Sequence, residues 1–290
     1  MTDGSVTASL SQWRSEGLEF RRVETIDTQL EFRKVVHDEI VLLAFSGAVW
    51  RSEQAGVTHT ETPGGIVLRD AGQVFSTRLV HLDAPTGMVC RELHIPLDRM
   101  EELYTASEGT LPRLDFRSPV LPGVPLARAL VRVHRLFEQP GCGLEATTAL
   151  AGLLALVAQA STGREMPLSG RPCSRRTRLV VAYLRDHFDR KITLTDLAAL
   201  AQINPYVLLR QFRRDTGVTP HDYLRAYRVY RARRFIQQGV PLADVALRCG
   251  FSDQSHLNRQ FKQSLGLSPR HFRSISSKNG QAPVRYSTDP

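Results

Sequence analysis

The side chains best suited to chemistry in this 290-residue chain lie in a phrase that is written twice. NPYVLLRQFRRDTGVTP occupies residues 204–220, and DQSHLNRQFKQSLGLSP follows at 253–269, an offset of 49. In each copy an apolar pair four residues apart, Leu208 with Phe212 and Leu257 with Phe261, marks the inward face of a helix. The opposite face carries Tyr206, Leu209, Arg210 and Arg213 in the first copy and Ser255, Asn258, Arg259 and Lys262 in the second, with Gln254 and His256 joining in the first turn. An arginine fork fits guanine, asparagine fits adenine, and serine meets either; Arg213 and Lys262 suit a phosphate as well as a base. Leu209 can touch only a thymine methyl. This chemistry is hydrogen bonding to base edges, not bond making. No Gly-rich phosphate loop, nucleophile elbow or spaced carboxylate pair stands out, so no catalytic residue and no cofactor is expected.

The elements that must position these groups are also written twice. Asn204 and Asp253 are good N-caps, Pro205 suits a first helical position, and Gly217 and Gly266 stop the helices. Thr219-Pro220 and Ser268-Pro269 then open new ones. Upstream, LTDLAALAQ at 194–202 matches LADVALRCG at 242–250, with Ala198 and Ala246 small enough for a second helix to approach. Helix, tight turn, helix is the unit whose second member enters a DNA major groove. Between the units, PHDYLRAYRVYRARRFIQQG at 220–239 places Tyr223, Leu224, Tyr227, Tyr230, Ala232 and Phe235 inward and crowds five arginines onto the remaining surface. Such a helix is roughly 27 Å long, a strut that holds two recognition helices about one DNA turn apart.

Charge divides along the same line. Residues 1–170 carry 16 Lys and Arg against 21 Asp and Glu, a net of −5, whereas residues 171–275 carry 20 against 7, a net of +13. A compact basic module concentrates polyanions, and nucleic acid is the usual partner. STGREMPLSGRPCSRR at 161–176 lacks apolar periodicity and reads as a connector. Four scattered cysteines without zinc spacing read as free thiols in a reducing compartment. The N-terminus lacks a signal-like pattern, and LAGLLALVAQA at 150–160 is too short to span a bilayer, so a cytoplasmic chain without a membrane partner is expected.

Two helix-turn-helix units joined by a long helix, with GFSDQSHLNRQFKQSLGLSPRHFR near the end, resemble the DNA-binding domain of the AraC family of bacterial transcription regulators. The resemblance covers roughly residues 175–275. It implies that Tyr206, Leu209 and Arg210 from one unit, and Gln254, Ser255, His256, Asn258 and Arg259 from the other, enter successive major grooves. It also implies an activator at the nucleoid, with RNA polymerase as a partner, and an effector-binding domain of cupin type.

The N-terminal half fits that implication loosely. Apolar runs at 40–50, 65–72, 73–82 and 88–96 are short and separated by turn formers, as in an antiparallel β-barrel or sandwich. GGIVLRDAGQVFS resembles the second cupin signature, but of the ligand set of metal-binding cupins His37 stands alone and Phe75 occupies the later histidine's place, so no metal is expected. His81, His94 and His134 read as surface or structural histidines. His37 and Trp50 are the candidate ligand-pocket residues. Two helices, 124–139 and 144–160, form a hairpin whose wide apolar face fits either core packing alone or a second subunit, and the AraC resemblance favours the second. The expected architecture is therefore α+β in two domains. Residues 1–160 form a cupin-like β-barrel for effector binding and dimerisation, ending in the 124–160 hairpin; 161–174 form a linker, 175–275 an all-α tandem helix-turn-helix domain, and 276–290 a flexible tail. The expected function is a homodimeric DNA-binding regulator controlled by a small molecule. The alternatives are a constitutive regulator whose first domain serves dimerisation only, a cupin enzyme, which the incomplete metal set disfavours, and an architectural DNA binder, which would not need an acidic β-rich domain.

Overall fold

The computed structural model describes residues 8–108, 119–139, 143–162 and 174–276. Most of the expected linker, the hairpin turn at 140–142 and the tail from 277 onward lie outside the described residues. The N-terminal half holds strands β1 (Ala8–Ser15), β2 (Leu18–Thr25), β3 (Glu31–Val35), β4 (Ile40–Ser46), β5 (Ala48–Gln54), β6 (Val57–Glu61), β7 (Gly65–Arg69), β8 (Phe75–Leu82), β9 (Met88–Ile95) and β10 (Val120–Pro122). Helix α1 (Leu97–Glu108) precedes β10, and helices α2 (Val124–Phe137) and α3 (Gly143–Thr162) follow it. All pairings are antiparallel, in a six-stranded sheet of order β1-β2-β9-β4-β7-β10 and a four-stranded sheet of order β3-β8-β5-β6.

Period-two alternation gives the larger sheet two different faces. Leu18, Phe20, Leu42, Ile66, Leu68, Leu93 and Ile95 point to one side, where they pack with Leu130, Val133 and Phe137 of α2 and Leu150, Leu153, Leu154 and Val157 of α3. Phe20 stacks on Phe137 with ring centroids 4.8 Å apart. The alternate residues point toward the smaller sheet and include Glu19, Arg21, Arg69 and Glu92 among apolar neighbours. The run at 40–50 is two strands and not one, because Gly47 at φ 72° turns the chain. Helix α3 is 20 residues long and includes an 18-residue window apolar enough to cross a membrane by length and composition. That window is longer than the eleven-residue stretch read from sequence, and its buried side chains lie in the core beneath the sheet.

The C-terminal half is all helix: α4 (Arg175–Asp186), α5 (Leu194–Ala201), α6 (Pro205–Thr216), α7 (Pro220–Gln237), α8 (Leu242–Arg248), α9 (Gln254–Leu265) and α10 (Pro269–Ser276). Each boundary has a local cause. Thr193 and Asp196 form a capping box for α5, the Tyr206 N–H donates to Asn204 Oδ1 at 2.9 Å, and the His256 N–H donates to Asp253 Oδ1 at 2.7 Å. Gly217 and Gly266 end α6 and α9 in the left-handed conformation, φ 78° and 76°. Leu197, Ala198 and Ala201 pack on Leu208 and Phe212, as Val245, Ala246 and Cys249 pack on Leu257 and Phe261.

The two units are offset by 48 residues before the turn and 49 after it, so the second turn is one residue longer. Gln202 takes the left-handed position in the first turn (φ 53°, ψ 46°) and Gly250 takes it in the second (φ 71°). A Cβ on Gly250 would lie 2.5 Å from the Asp189 carbonyl oxygen, whereas one on Gly239 (φ 82°) would meet nothing within 4 Å. Gly250→Ala is therefore expected to destabilise the protein by about 1–3 kcal/mol more than Gly239→Ala, whose cost is the left-handed backbone alone. Urea melts of the two variants check this; equal losses would remove the role assigned to the Asp189 approach.

Candidate nucleic-acid interface and interdomain cavity

On α6 the N-terminal turns present Tyr206, 78% exposed, Val207 and Arg210 to solvent, with Arg213 one turn further on. Leu209 is half-buried, so it is the least available of the group read from sequence. On α9, Gln254, Ser255, Asn258, Arg259 and Lys262 are exposed. His256 is half-buried, its ring edge-on to Phe251 at 5.4 Å and its Nδ1 3.2 Å from Ser252 Oγ. The first helix of each unit buttresses the second through the apolar pairs described above, leaving the polar faces uncovered. Val207 is an exposed apolar neighbour that sequence reasoning passed over, although its place beside Tyr206 in the first turn signals it.

The N-terminal domain docks on α7. Asp38 accepts from Tyr227 Oη at 2.8 Å and pairs with Arg185, Glu39 Oε1 accepts from Arg234 Nη1 at 2.6 Å, and Lys34 Nζ lies 3.0 Å from Asp222. Val36 and Val74 join the apolar cluster around α4–α7, and Val35 and Phe75 join the one around α7–α9. This corrects the expectation that the strut's arginines occupy open surface. Arg228 donates to the carbonyls of Phe188 and Arg190, Arg231 lies over the Phe188 ring, and Arg233 and Arg234 face the β domain.

A cavity of about 310 Å³ lies between the two sheets and is closed at one end by Arg233 and Gln237 of α7 and by Leu265, Leu267 and Phe272. Its walls are mostly apolar: Val23, Leu30, Phe32, Leu43, Phe45, Trp50 and Met88. His37 and Trp50 both line it, and Trp50 Nε1 is 3.3 Å from Met88 Sδ. Its polar groups are of two kinds, neutral ones such as Gln12, Thr25 and Thr77 and charged ones such as Arg21, Arg69 and Glu92. Arg21 donates to Glu19 through Nε at 2.8 Å, and Arg69 pairs with Glu61. Arg69 is 3% exposed and lies 4.4 Å over the Phe75 ring, and its Nε and Nη1 have no hydrogen-bond partner among the described residues. Burial works to raise the Glu19 carboxyl, but Arg21, His94 and Arg14 outweigh it and hold it well below the usual carboxylate range. Burial, with Arg21 nearby, brings Arg233 down to about 10. Burial, then His94 and the arginines, push His37 well below the ordinary imidazole value, leaving it neutral at pH 7.

Sequence reading missed Arg21, Arg69, Arg233 and Glu39 here, and took His94 singly. The available signal was charge at inward strand positions, as in LEFRRV and MVCRELHI, in strands that are otherwise covered on both faces. His81 is exposed beside Asp83, and His134 is buried with its Nε2 2.9 Å from the Arg21 carbonyl oxygen.

Comparison with known proteins places these features. Residues 197–275 match the family of helix-turn-helix domains. The chain is 39% identical over 80 residues to the uncharacterized HTH-type transcriptional regulator YbfI of Bacillus subtilis, 28% of this chain and 29% of that protein. It is 35% identical over 99 residues to the HTH-type transcriptional activator RhaS of Escherichia coli, 34% of this chain and 36% of that protein. The match thus spans about a third of the length of these relatives. Over the whole molecule the fold is similar to that of ToxT from Vibrio cholerae, solved with an unsaturated fatty acid bound, at a TM-score of 0.63 and 13% identity, covering 97% of this chain and 99% of the other.

Proposed function

With residues 197–275 forming an AraC-type helix-turn-helix domain, we propose that the chain is a sequence-specific DNA-binding transcription regulator whose two recognition helices, α6 and α9, enter successive major grooves. The observation that carries this reading is the pair of exposed polar faces held on one strut in a domain of net charge +13. Tyr206, Arg210, Gln254, Ser255, Asn258 and Arg259 read bases, with Leu209 and His256 at the margin, and Arg213 and Lys262 hold phosphates. Activation through RNA polymerase is carried over from relatives such as RhaS, named as an activator.

The finer reading is control by a small molecule in the interdomain cavity. Its support is Arg69, a buried cation with two unpartnered nitrogens on a mostly apolar wall. Buried donors are normally satisfied, so the cavity suits a carboxylate carried on an apolar body, and the ToxT structure with its bound fatty acid supports the same class. Arg233 adds a second cation from the DNA-binding half. This observation favours effector control over a first domain that serves dimerisation alone. Dimerisation itself fits the outer side of α3, where Leu144, Thr148, Ala151, Gly152, Ala155 and Leu156 are exposed and uncharged. The domain limits proposed for this function are 1–160, 161–174, 175–275 and 276–290, in a cytoplasmic protein at the nucleoid.

Three outcomes test these readings. Arg259→Ala is expected to lose about 1–3 kcal/mol on a cognate duplex and to relax preference at one base pair, whereas Lys262→Ala weakens all duplexes alike and lowers the salt slope by roughly 0.9. Equal losses for Arg259→Ala on cognate and scrambled duplexes would end its base-reading role. For the cavity, a long-chain unsaturated acid should raise the melting temperature of the full chain while its methyl ester does not, and Arg233→Met should blunt the effect. A shift of the same size with acid and ester would remove the carboxylate anchor. For assembly, sedimentation of the full chain should give a dimer that Ala155→Arg converts to monomer, with weaker binding to two-site DNA through lost effective concentration. A wild-type monomer at micromolar concentration would refute the α3 interface.

A further inference from the structure

Sheet pairing brings His94 to two side chains more than fifty residues earlier in the sequence, His37 and Glu39. His94 lies on β9 opposite Val41 of β4 and opposite Glu19 of β2, while His37 and Glu39 stand in the segment that leads into β4. All three are buried, at 9%, 8% and 1% exposure for His37, Glu39 and His94. Their candidate ligand atoms lie within 4.8 Å of one another. The His37 and His94 rings meet edge to face with centroids 5.5 Å apart.

We propose that His37, Glu39 and His94 form a binding site for one divalent transition-metal ion of the zinc class, at the end of the intersheet cavity against helix α7. The independent sign is the state of His94. Its Nε2 is 3.0 Å from Glu92 Oε2, and its Nδ1 is buried with no hydrogen-bond partner among the described residues. With Nε2–H donating to Glu92, Nδ1 carries an unused lone pair; a histidine fixed by a carboxylate on its far nitrogen is how metal-ligating imidazoles are held. Two imidazole nitrogens and one carboxylate oxygen suit zinc and its neighbours and leave a further position open. Bonds of about 2.0–2.2 Å put tetrahedral ligands about 3.4 Å apart, so side-chain rotations that move the donor atoms by about an ångström close the set.

The charges around the site permit this. Arg21 and Arg233 lie close by, and Glu19 and Glu92 offset them. Glu39 receives Arg234 on Oε1 and also hydrogen-bonds Tyr230, so an ion would share this carboxylate with both donors. The set differs from that of metal-binding cupins, whose later histidine is replaced here by Phe75; in this chain His94, from the last long strand of the sheet, supplies the second imidazole. The site does not depend on whether the cavity takes an acid, since none of its three ligands is Arg69 or Arg233.

Untagged full-length protein, stripped with a chelator and titrated with zinc sulfate by calorimetry, should take up one ion per chain. His37→Ala, His94→Ala and Glu39→Gln should each weaken binding by at least about tenfold, and His81→Ala, at an exposed histidine, should leave it unchanged. Because a core variant can fail to fold, wild-type protein loaded with Co2+ supplies a second readout: d–d absorption of a nitrogen-ligated, low-coordinate ion is expected. No uptake of zinc and no such band by the wild type would overturn the proposal. So would zinc affinity that is insensitive to all three folded site variants.

Discussion

Helix α7 is buried or half-buried along nearly its whole length: among its 18 residues, His221 alone is exposed. Tyr223, Leu224 and Tyr227 belong to the core of the first helix-turn-helix unit, and Val229, Ala232 and Ile236 to that of the second. The sides left over face the β domain, where Asp38 and Glu39 take Tyr227 and Arg234. One helix is thus core to three neighbours at once. A close-packed interior resists small shifts, so α6 and α9 are held as one body, and whatever touches α7 from the cavity side touches the part that spaces them.

The six-stranded sheet divides its work between its faces. The side under α2 and α3 carries Leu18, Phe20, Leu42, Leu68 and Leu93, each at most 1% exposed, and area burial of this kind supplies stability. The side toward the cavity carries Glu19, Arg21, Arg69 and Glu92 instead. Buried ion pairs are poor stabilisers, because desolvation offsets their attraction, and apolar residues in their place would often hold the fold as well. Charges kept on that face are therefore better explained by what they meet than by what they hold together. The unpartnered nitrogens of Arg69 and the unpartnered Nδ1 of His94 are the sharpest instances.

Much of the C-terminal half was legible because its signals are local. Asn204, Asp253, Gly217 and Gly266 act on their own turns, and the repeat lets each unit check the other. The extra residue in the second turn is visible as the change of offset from 48 to 49. The N-terminal strands were legible where both faces are apolar, as in IVLLAFS, and hidden where the inward face is charged, as in β2, or where the strand is mostly exposed and charged, as in β3. The cavity was beyond reach for a different reason. His37 and His94 are 57 residues apart, and only the β4–β9 register places them together. The arginines of α7 read as surface because a helix seen alone carries no record of the domain that will dock on it.

This arrangement limits how a bound molecule can act on DNA under the proposed function. Changing the distance between α6 and α9 would mean breaking the packing of Tyr223 to Ile236, at several kcal/mol for each large side chain pulled from the core. The seating of the β domain rests on partly exposed pairs such as Lys34–Asp222, on bonds such as Ser264 Oγ to the Arg33 carbonyl oxygen, and on the buried Val35, Val36, Val74 and Phe75, so shifting it disturbs fewer large apolar side chains than parting α6 from α9. That seating reaches both units: Ala55 abuts Gly217 at the end of α6, and Glu31 lies near Gly266 at the end of α9. These are the ends remote from Tyr206 and Ser255, so the docked β domain leaves the first turns of α6 and α9 open while bearing on both helices from behind. Under that reading, a ligand that contacts Arg69 and Arg233 together would favour the seated state by the difference in its affinity for the two states, and by no more than that. Under the proposed function, control would then act on how the two helix-turn-helix units are held as one body, and not on the spacing between them.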